Sequence, residues 1–208
     1  MIPEISVETI TPLDPAKIDL LELPYEDGQL LDHLARILLA ILIAERPYQI
    51  LEIGTLVGTT ALRMAHALPS AIIHTVDLPI SFVPNEHFTD PHLFNRRQVG
   101  RLFPGRAEFL RIRQHLADTK FWDFYVGNPA PTFFFIDGSH SYEYVKNDSE
   151  KCYQLCNGQG VFLWHDVDDL HPGIYGFLEE WRALGRDVRR IANTNLGYYH
   201  GLNRATRS

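Results

Sequence analysis

Four ionisable side chains follow two strongly apolar segments in the C-terminal half of the chain. Asp137 and His140 follow the first of these segments, and His165 and Asp166 follow the second. If the segments are neighbouring strands of a parallel sheet, their carboxyl ends present all four side chains at one rim. Carboxylates and imidazoles together suit a divalent metal, and His140 could act as a general base. The competing interpretation is structural: Asp137 caps the following helix and His165 packs beside it.

The segment LEIGTLVGTT, residues 51–60, is a second candidate site. It carries Glu52, Gly54 and Gly58, but Leu56 stands where the dinucleotide fingerprint G-x-G-x-x-G requires its middle glycine. Glycines at a strand-to-helix turn allow a ligand to approach the backbone, and the helix start offers N–H groups. The spacing favours a ligand without a phosphate at this turn. A turn without any ligand is the alternative.

Two further positions extend this candidate site. Thr60 stands at the expected helix start, where its hydroxyl could bond a ligand carboxylate. Asp77 ends the next apolar segment, and an acid at this point typically binds the two hydroxyls of a ribose.

The order of the apolar segments predicts the fold class. Strand-like and helix-like segments alternate, and the strands are apolar along their whole length, as in parallel sheets covered on both faces. We expect strands at 48–53, 71–78, 107–112, 132–137, 160–166, 188–191 and 196–200. Four residues separate the last two strands, which favours an antiparallel hairpin. The prediction is an α/β, Rossmann-like, doubly wound and mostly parallel seven-stranded sheet, with helices on both faces and a C-terminal antiparallel hairpin.

The 208 residues are expected to form a single domain. Residues 1–27 are rich in proline and are interpreted as an N-terminal arm or lid outside the core, and residues 28–208 as a Rossmann-like core. A long connection follows the second strand and leads into a predicted helix at 95–103. This connection could carry a substrate lid.

Composition narrows the classes of partner. The formal net charge of −7 argues against broad nucleic-acid binding. No apolar run reaches membrane-spanning length, no signal peptide is visible, and two cysteines four residues apart fit a reducing compartment and core packing. We therefore expect a cytoplasmic protein with a small-molecule partner, no nucleic acid and no membrane.

These motifs together resemble the class I S-adenosylmethionine-dependent methyltransferases. LEIGTLVGTTALRMA is similar to the first motif of that family, and TVDL to its ribose-binding acid. FFFIDGSHSYEYVKNDSEKC followed by GQGVFLWHDV resembles small-molecule O-methyltransferases of the macrocin type and, more distantly, catechol and caffeoyl-CoA O-methyltransferases. The resemblance extends from about Gly28 to His200.

The resemblance implies that S-adenosyl-L-methionine donates a methyl group to a hydroxyl of a small molecule. The cofactor-binding residues that it implies are Glu52, Gly54, Thr55, Gly58, Thr60, Asp77 and Asp137. The adenine would lie near the end of the third strand, around Gln114 and His115. Asp137, His165 and Asp166 would bind a metal, and His140 would take the substrate proton.

One departure from the family leaves the metal open. The family usually has Asp-Asn or two acids where this chain has His165 and Asp166, and imidazole is a poorer ligand for Mg²⁺ than oxygen. The options are Mg²⁺ held by fewer protein oxygens, a softer ion such as Mn²⁺, or no metal. Two other functions also stay open: an NAD(P)-dependent oxidoreductase, and a catalytically inactive cofactor-binding interaction module. A homodimer is expected only by analogy with small O-methyltransferases.

Overall fold

A computed structural model describes residues 1–25, 27–79, 81–82 and 98–201. Its strands are β1 Glu4–Ile5, β2 Gln49–Ile53, β3 Ile72–Asp77, β4 Ile112–Leu116, β5 Phe133–Ile136, β6 Val161–Trp164, β7 Arg189–Ile191 and β8 Gly197–His200. They form one sheet in the order β1-β7-β8-β6-β5-β2-β3-β4. The predicted lid falls mostly on residues 83–97, which lie outside the described part of the chain. Of the predicted helix at 95–103, residues 98–103 form turns.

The helices cover both faces of the sheet. They are α1 Val7–Ile10, α2 Asp32–Glu45, α3 Thr59–Ala67, α4 Tyr142–Leu155 and α5 Pro172–Ala183, with short 3₁₀ helices at Pro15–Lys17 and Ala107–Arg111. The hydroxyl of Ser141 accepts a hydrogen bond from the backbone N–H of Tyr144 and caps α4. Asp137 is therefore not the cap of this helix, which removes one structural interpretation of that residue.

The predicted fold class is confirmed. Strands β6, β5, β2, β3 and β4 are parallel, and β8 runs antiparallel to both β6 and β7. Strands β2, β5 and β6 are buried at every residue, as expected for the centre of a sheet covered on both faces. Cys152 and Cys156 are buried free thiols, as the packing interpretation expected. None of the described helices is both long and apolar enough to cross a membrane.

The described part of the sheet has one strand more than the predicted seven. Strand β1 pairs in parallel with β7, and Ile2 and Ile10 on either side of it are buried. The expectation that residues 1–27 contribute no core element is therefore wrong. A strand of two residues is too short to show the alternating pattern by which strands are predicted.

Strand β4 begins five residues later than predicted. Residues 107–111 form a 3₁₀ helix, in which Leu110 is exposed, and the strand covers 112–116. Because β4 is an edge strand with one neighbour, it carries polar residues such as Arg113 and lacks the continuous apolar run that marks a central strand. Its end therefore lies at Leu116, beyond the two residues where the adenine was expected.

The buried imidazole of His74 on β3 is expected to make the fold less stable in acid. Nδ1 of His74 lies 3.2 Å from Nε2 of His115. Burial, with the positive charges of His115 and Arg113, lowers the pKa of His74 from 6.5 to about 4. The unfolded chain binds this proton at the higher pKa. The free energy of unfolding therefore has its full value above pH 6.5 and decreases as the pH falls towards 4.

We expect the free energy of unfolding of the wild type to fall between pH 7 and pH 4 by about 3 kcal/mol more than that of His74→Gln. Urea unfolding at the two pH values measures this difference. The exposed His33, replaced in the same way, is the control and should leave the pH dependence of the wild type unchanged. An equal pH dependence of His74→Gln and the wild type would contradict the prediction.

Candidate functional site

A cavity of about 370 Å³ opens at the carboxyl ends of the central parallel strands. This is where ligands bind in such sheets, and the volume falls in the range of about 300–1,000 Å³ that is typical of small-molecule sites. Eight of the ten predicted site residues line it: Gly54, Thr55, Thr60, Asp77, Asp137, His140, His165 and Asp166. Glu52 and Gly58 are not among the lining residues.

The two glycines of the turn after β2 are required by protein neighbours. Gly54 has φ +100°, and a Cβ there would lie 2.0 Å from the carbonyl oxygen of Asp137. Gly58 has φ +97°, and a Cβ there would lie 2.3 Å from the ring of Phe103. Both the backbone conformation and the space therefore exclude a side chain. Close approach of a ligand is not needed to explain either glycine.

Asp77 holds the turn in place from the end of β3. Its Oδ2 accepts hydrogen bonds from the backbone N–H groups of Thr55, at 3.1 Å, and Leu56, at 2.8 Å. Its Oδ1 accepts one from the N–H of Leu78 at 2.7 Å. Leu56 adopts the left-handed conformation with φ +46°. The carboxylate therefore fixes an irregular stretch of backbone and also borders the cavity.

Glu52 lies beneath the turn and outside the cavity lining. It is 1% exposed, and its Oε2 accepts a hydrogen bond from the hydroxyl of Thr75. That hydroxyl lies 2.7 Å from the hydroxyl of Thr55. Burial raises the pKa of Glu52 well above its usual value, and the nearby carboxylates of Asp137 and Asp77 raise it further. The side chain thus supports the turn from below through its hydrogen bond with Thr75.

A cluster of histidines and acids forms where β5 and β6 end. Nδ1 of His165 lies 2.9 Å from Oδ1 of Asp137 and 3.1 Å from Oδ2 of Asp166. Nε2 of His140 lies 3.1 Å from the same Oδ2 of Asp166. Asp166 itself adopts a left-handed conformation with φ +58°, an unfavourable geometry that functional sites often retain. The rim predicted from the sequence is therefore assembled, with Asp166 at its centre.

The charges of this cluster are strongly coupled. Burial alone would lower the pKa of His165, but the charges and hydrogen bonds of Asp137 and Asp166 outweigh it and raise the pKa to about 10. Burial alone would raise the pKa of Asp166, but hydrogen bonds from His140 and His165 hold it well below its usual value. In this state an imidazolium lies between two carboxylates.

Residues 51–167, more than half of the chain, match the family model of a methyltransferase domain. The chain belongs to this methyltransferase family. The predicted family is thereby confirmed. The candidate site lies within the matched region.

Solved structures share the fold of this methyltransferase. The methyltransferase PaMTH1 of Podospora anserina, with SAH bound, has a TM-score of 0.56 and 15% identity over 85% of this chain and 81% of that chain. The O-methyltransferase TomG of Streptomyces achromogenes, in complex with SAM, has a TM-score of 0.54 and 19% identity over 83% of this chain and 80% of that chain. The O-methyltransferase of Bacillus cereus, in complex with SAH, has a TM-score of 0.55 and 16% identity over 93% of this chain and 99% of that chain.

The acid–histidine cluster of the methyltransferase has the dimensions of a cation site. One ligand atom each from Asp137, His165 and Asp166 lie within 4.8 Å of one another. Adjacent ligand atoms at about 2.1 Å from an octahedral ion are about 3.0 Å apart, close to the contacts of 2.9 and 3.1 Å that His165 makes with Asp137 and Asp166. Two oxygens and one imidazole nitrogen fit Mn²⁺ better than Mg²⁺, which prefers oxygen.

Two polar residues of the methyltransferase site had no predicted role. Asn195 donates a hydrogen bond to Oδ1 of Asp166 at 2.9 Å. It reaches this position because it precedes β8, which pairs with β6. The ring of His171 lies 4.4 Å from that of His140, and its Nδ1 lies 2.8 Å from Oδ1 of Asp168. The predicted hairpin was a usable signal for Asn195, but no spacing in the sequence marks His171.

The part of the cavity next to β4 differs from the predicted one. Gln114 and His115 do not line it, and the ring of His115 packs against that of Trp122 instead. Because β4 ends at Leu116, the residues that follow it contribute to the lining. This part of the methyltransferase cavity is formed by Leu78, Ala117, Thr119, Tyr144 and Asp148.

Proposed function

We propose that this chain is an S-adenosylmethionine-dependent methyltransferase that transfers the methyl group to a hydroxyl of a small molecule. The observation that carries the proposal is a methyltransferase-family cavity that brings His140 and Asp166 together at one end. TomG and the Bacillus cereus enzyme, which share the fold, are O-methyltransferases crystallised with SAM and SAH respectively. The family match favours methyl transfer over nicotinamide chemistry, as does Leu56 in place of the fingerprint glycine.

The proposed cofactor site follows the turn after β2. Gly54, Thr55 and Thr60 border the cavity where the methionine portion would lie, and Asp77 would bind the ribose while it holds the turn. Glu52 and Gly58 would support this site from below, and Asp137 borders it at the reacting end.

We assign residues 1–208 to a single methyltransferase domain. Residues 1–27 are its N-terminal arm, whose strand β1 completes one edge of the sheet, and residues 28–208 are its Rossmann-like remainder. The arm is fixed at its start by the pairing of β1 with β7, and near its end Tyr25 borders the cavity.

The chain must position the acceptor hydroxyl and remove its proton. The cofactor supplies a methyl group on a sulfonium sulfur, which is a strong electrophile. With Nε2–H donated to Asp166, a neutral His140 accepts a proton at Nδ1. Asp166 fixes the ring and stabilises the imidazolium that results. Alignment of the hydroxyl with the methyl group supplies the remainder of the rate enhancement.

A divalent ion fits the same end of the cavity. Asp137, His165 and Asp166 would hold it, with Mn²⁺ favoured over Mg²⁺ by the imidazole donor. An ion at this position would lower the pKa of an acceptor hydroxyl.

Calorimetric titration of the purified protein tests the proposal. S-adenosylmethionine and S-adenosylhomocysteine are expected to bind with micromolar Kd and NADH not to bind, and Mn²⁺ should give binding heat that Asp137→Asn abolishes. Absence of binding by both sulfur ligands would refute the proposed cofactor. Binding of NADH alone would establish the oxidoreductase instead, and cofactor binding without transfer to any hydroxyl would support the inactive module.

A further inference from the structure

A second cavity, of about 580 Å³, lies beside the end of β8. This β8 cavity is the space bordered by Ile5 in β1, Arg186 after α5 and His200 in β8. Its volume is also typical of small-molecule sites. No described residue lines both cavities, so an occupant of the β8 cavity would leave the methyltransferase cavity open.

The sheet places the β8 cavity at the opposite end of β6 from the acid–histidine cluster. His200 pairs with Val161, the first residue of β6. His165 directly follows the last residue of the same strand. At about 3.3 Å for each residue, the two sites lie on the order of 13 Å apart along this strand. A ligand in the β8 cavity is therefore not an acceptor for the proposed methyl transfer.

Arg186 is the arginine of the segment RDVRR that has no acidic partner. Arg189 pairs with both carboxylate oxygens of Asp187, and Arg190 pairs with Glu4. Nη1 of Arg186 is buried without a hydrogen-bond partner, and no acid within the described ranges forms an ion pair with this side chain. A buried donor without an acceptor is unfavourable. A ligand with an acceptor would satisfy it.

Two aromatic rings hold the guanidinium of Arg186 in place. Its Cζ lies 4.3 Å from the ring centres of both Tyr153 and Trp181. Those ring centres are 5.4 Å apart, so the rings cover neighbouring sides of the guanidinium and leave its opposite side uncovered by either ring. A guanidinium held in this way loses less side-chain entropy when it binds an anion.

The acid in the lining of the β8 cavity is already paired. Asp187 is the only carboxylate among the described lining residues, and it pairs with Arg189. Burial raises the pKa of Tyr199 to about 12, so this phenol is uncharged at neutral pH, and its hydroxyl donates to the carbonyl of Gly158 at 3.3 Å. The positive charge of Arg186 therefore favours an anion in this cavity.

Apolar side chains form another part of the lining. Ile5 and Ile10 come from β1 and α1, and Leu184 directly follows α5. Leu184 is 64% exposed although it borders the cavity. An apolar ligand body would remove part of this side chain from water, which is favourable. The combination of one cation with apolar walls fits an organic anion better than an inorganic one.

We propose that the β8 cavity binds a small organic carboxylate, which pairs with Arg186 through its oxygens and contacts Ile5, Ile10 and Leu184 through an apolar body. A carboxylate has the planar shape that a guanidinium binds with two parallel hydrogen bonds. The inference does not rest on the proposed function, because none of these four residues lines the methyltransferase cavity.

Fluorine NMR titration with two matched probes tests the inference. 4-Fluorophenylacetate carries a carboxylate, and 4-fluorophenylacetamide has the same body without the charge. The wild type is expected to bind the carboxylate with a millimolar Kd and at least about tenfold more tightly than the amide. Arg186→Gln should lower the affinity for the carboxylate at least about tenfold. Arg113→Gln, exposed on β4 at the other edge of the sheet, removes the same charge and should keep the wild-type affinity.

The opposite results would overturn the inference. Absence of carboxylate binding by the wild type at millimolar concentration is one, and equal affinity for the two probes is another. Displacement of the probe by S-adenosylhomocysteine would place it in the methyltransferase cavity instead. If Arg186→Gln does not fold, as judged by circular dichroism, a substitution at the exposed Leu184, Leu184→Glu, replaces it. The added negative charge should weaken binding of the carboxylate several-fold, and an unchanged affinity would count against the inference.

Discussion

Replacement of His140 by alanine is expected to lower turnover by about 10²–10⁴-fold, the usual contribution of a general acid or base. The affinity for S-adenosylhomocysteine should change less than about threefold. His140 follows β5, lines the cavity and contacts Asp166. It lies three strands away from β4, where the opposite end of the cavity is formed. Its loss therefore removes the proton acceptor but leaves the turn after β2 and the contacts of Asp77 intact.

Screening of hydroxylated small molecules first identifies an acceptor. The turnover of His140→Ala is then measured as the transfer of a labelled methyl group to that acceptor. Calorimetry measures S-adenosylhomocysteine binding on the same preparation. The exposed His33, replaced by alanine, controls for loss of an imidazole elsewhere in the chain. Unchanged turnover would refute the role of His140 as base, and a parallel loss of affinity would identify it as a binding residue instead.

Replacement of Gly54 by alanine is expected to cost about 3 kcal/mol or more of the free energy of unfolding and to abolish cofactor binding. The positive φ alone costs about 1–2 kcal/mol for a residue with a Cβ. The remainder comes from the collision with the carbonyl oxygen of Asp137, a backbone atom that cannot rotate away. Displacement of either strand end would move both the turn and the acid that follows β5.

Gly105 offers a matched control for this substitution. It has φ +79°, but a Cβ there would meet nothing within 4 Å. Gly105→Ala should therefore show the backbone cost of about 1–2 kcal/mol without the collision, and full binding of S-adenosylhomocysteine. Urea unfolding compares the two variants. Equal losses of stability would mean that the contact between Gly54 and Asp137 contributes nothing beyond the backbone conformation.

The central strands could be predicted from the sequence because strands buried on both faces consist mostly of apolar residues. The runs that become β2, β5 and β6 are buried on both faces; β5 and β6 are apolar at every position, and β2 is apolar except at Gln49 and Glu52. The edge strands lack this constraint. Strand β4 has one neighbour and exposes Arg113, and β1 has only two residues. Both were therefore misplaced or missed.

The rim of acids and histidines was predictable because it depends only on which strands are parallel. Once β5 and β6 are neighbours, Asp137 and His165 must meet at the same edge. The position of Glu52 was not predictable in this way. Its burial beneath the turn depends on Thr75 of the adjacent strand. Asp148 is a similar case, since its exposure to the cavity depends on how α4 crosses the loop after β4.

The pairing of β1 with β7 imposes an order on folding. Glu4 lies beside Arg190, so about 185 residues separate the two partners. Contacts between residues so far apart in the chain form slowly, because a long loop must close first. During synthesis β1 is made before β7 and β8 and cannot pair until both have left the ribosome. The edge of the sheet is thus completed last, and premature termination would leave β6 without its antiparallel neighbour.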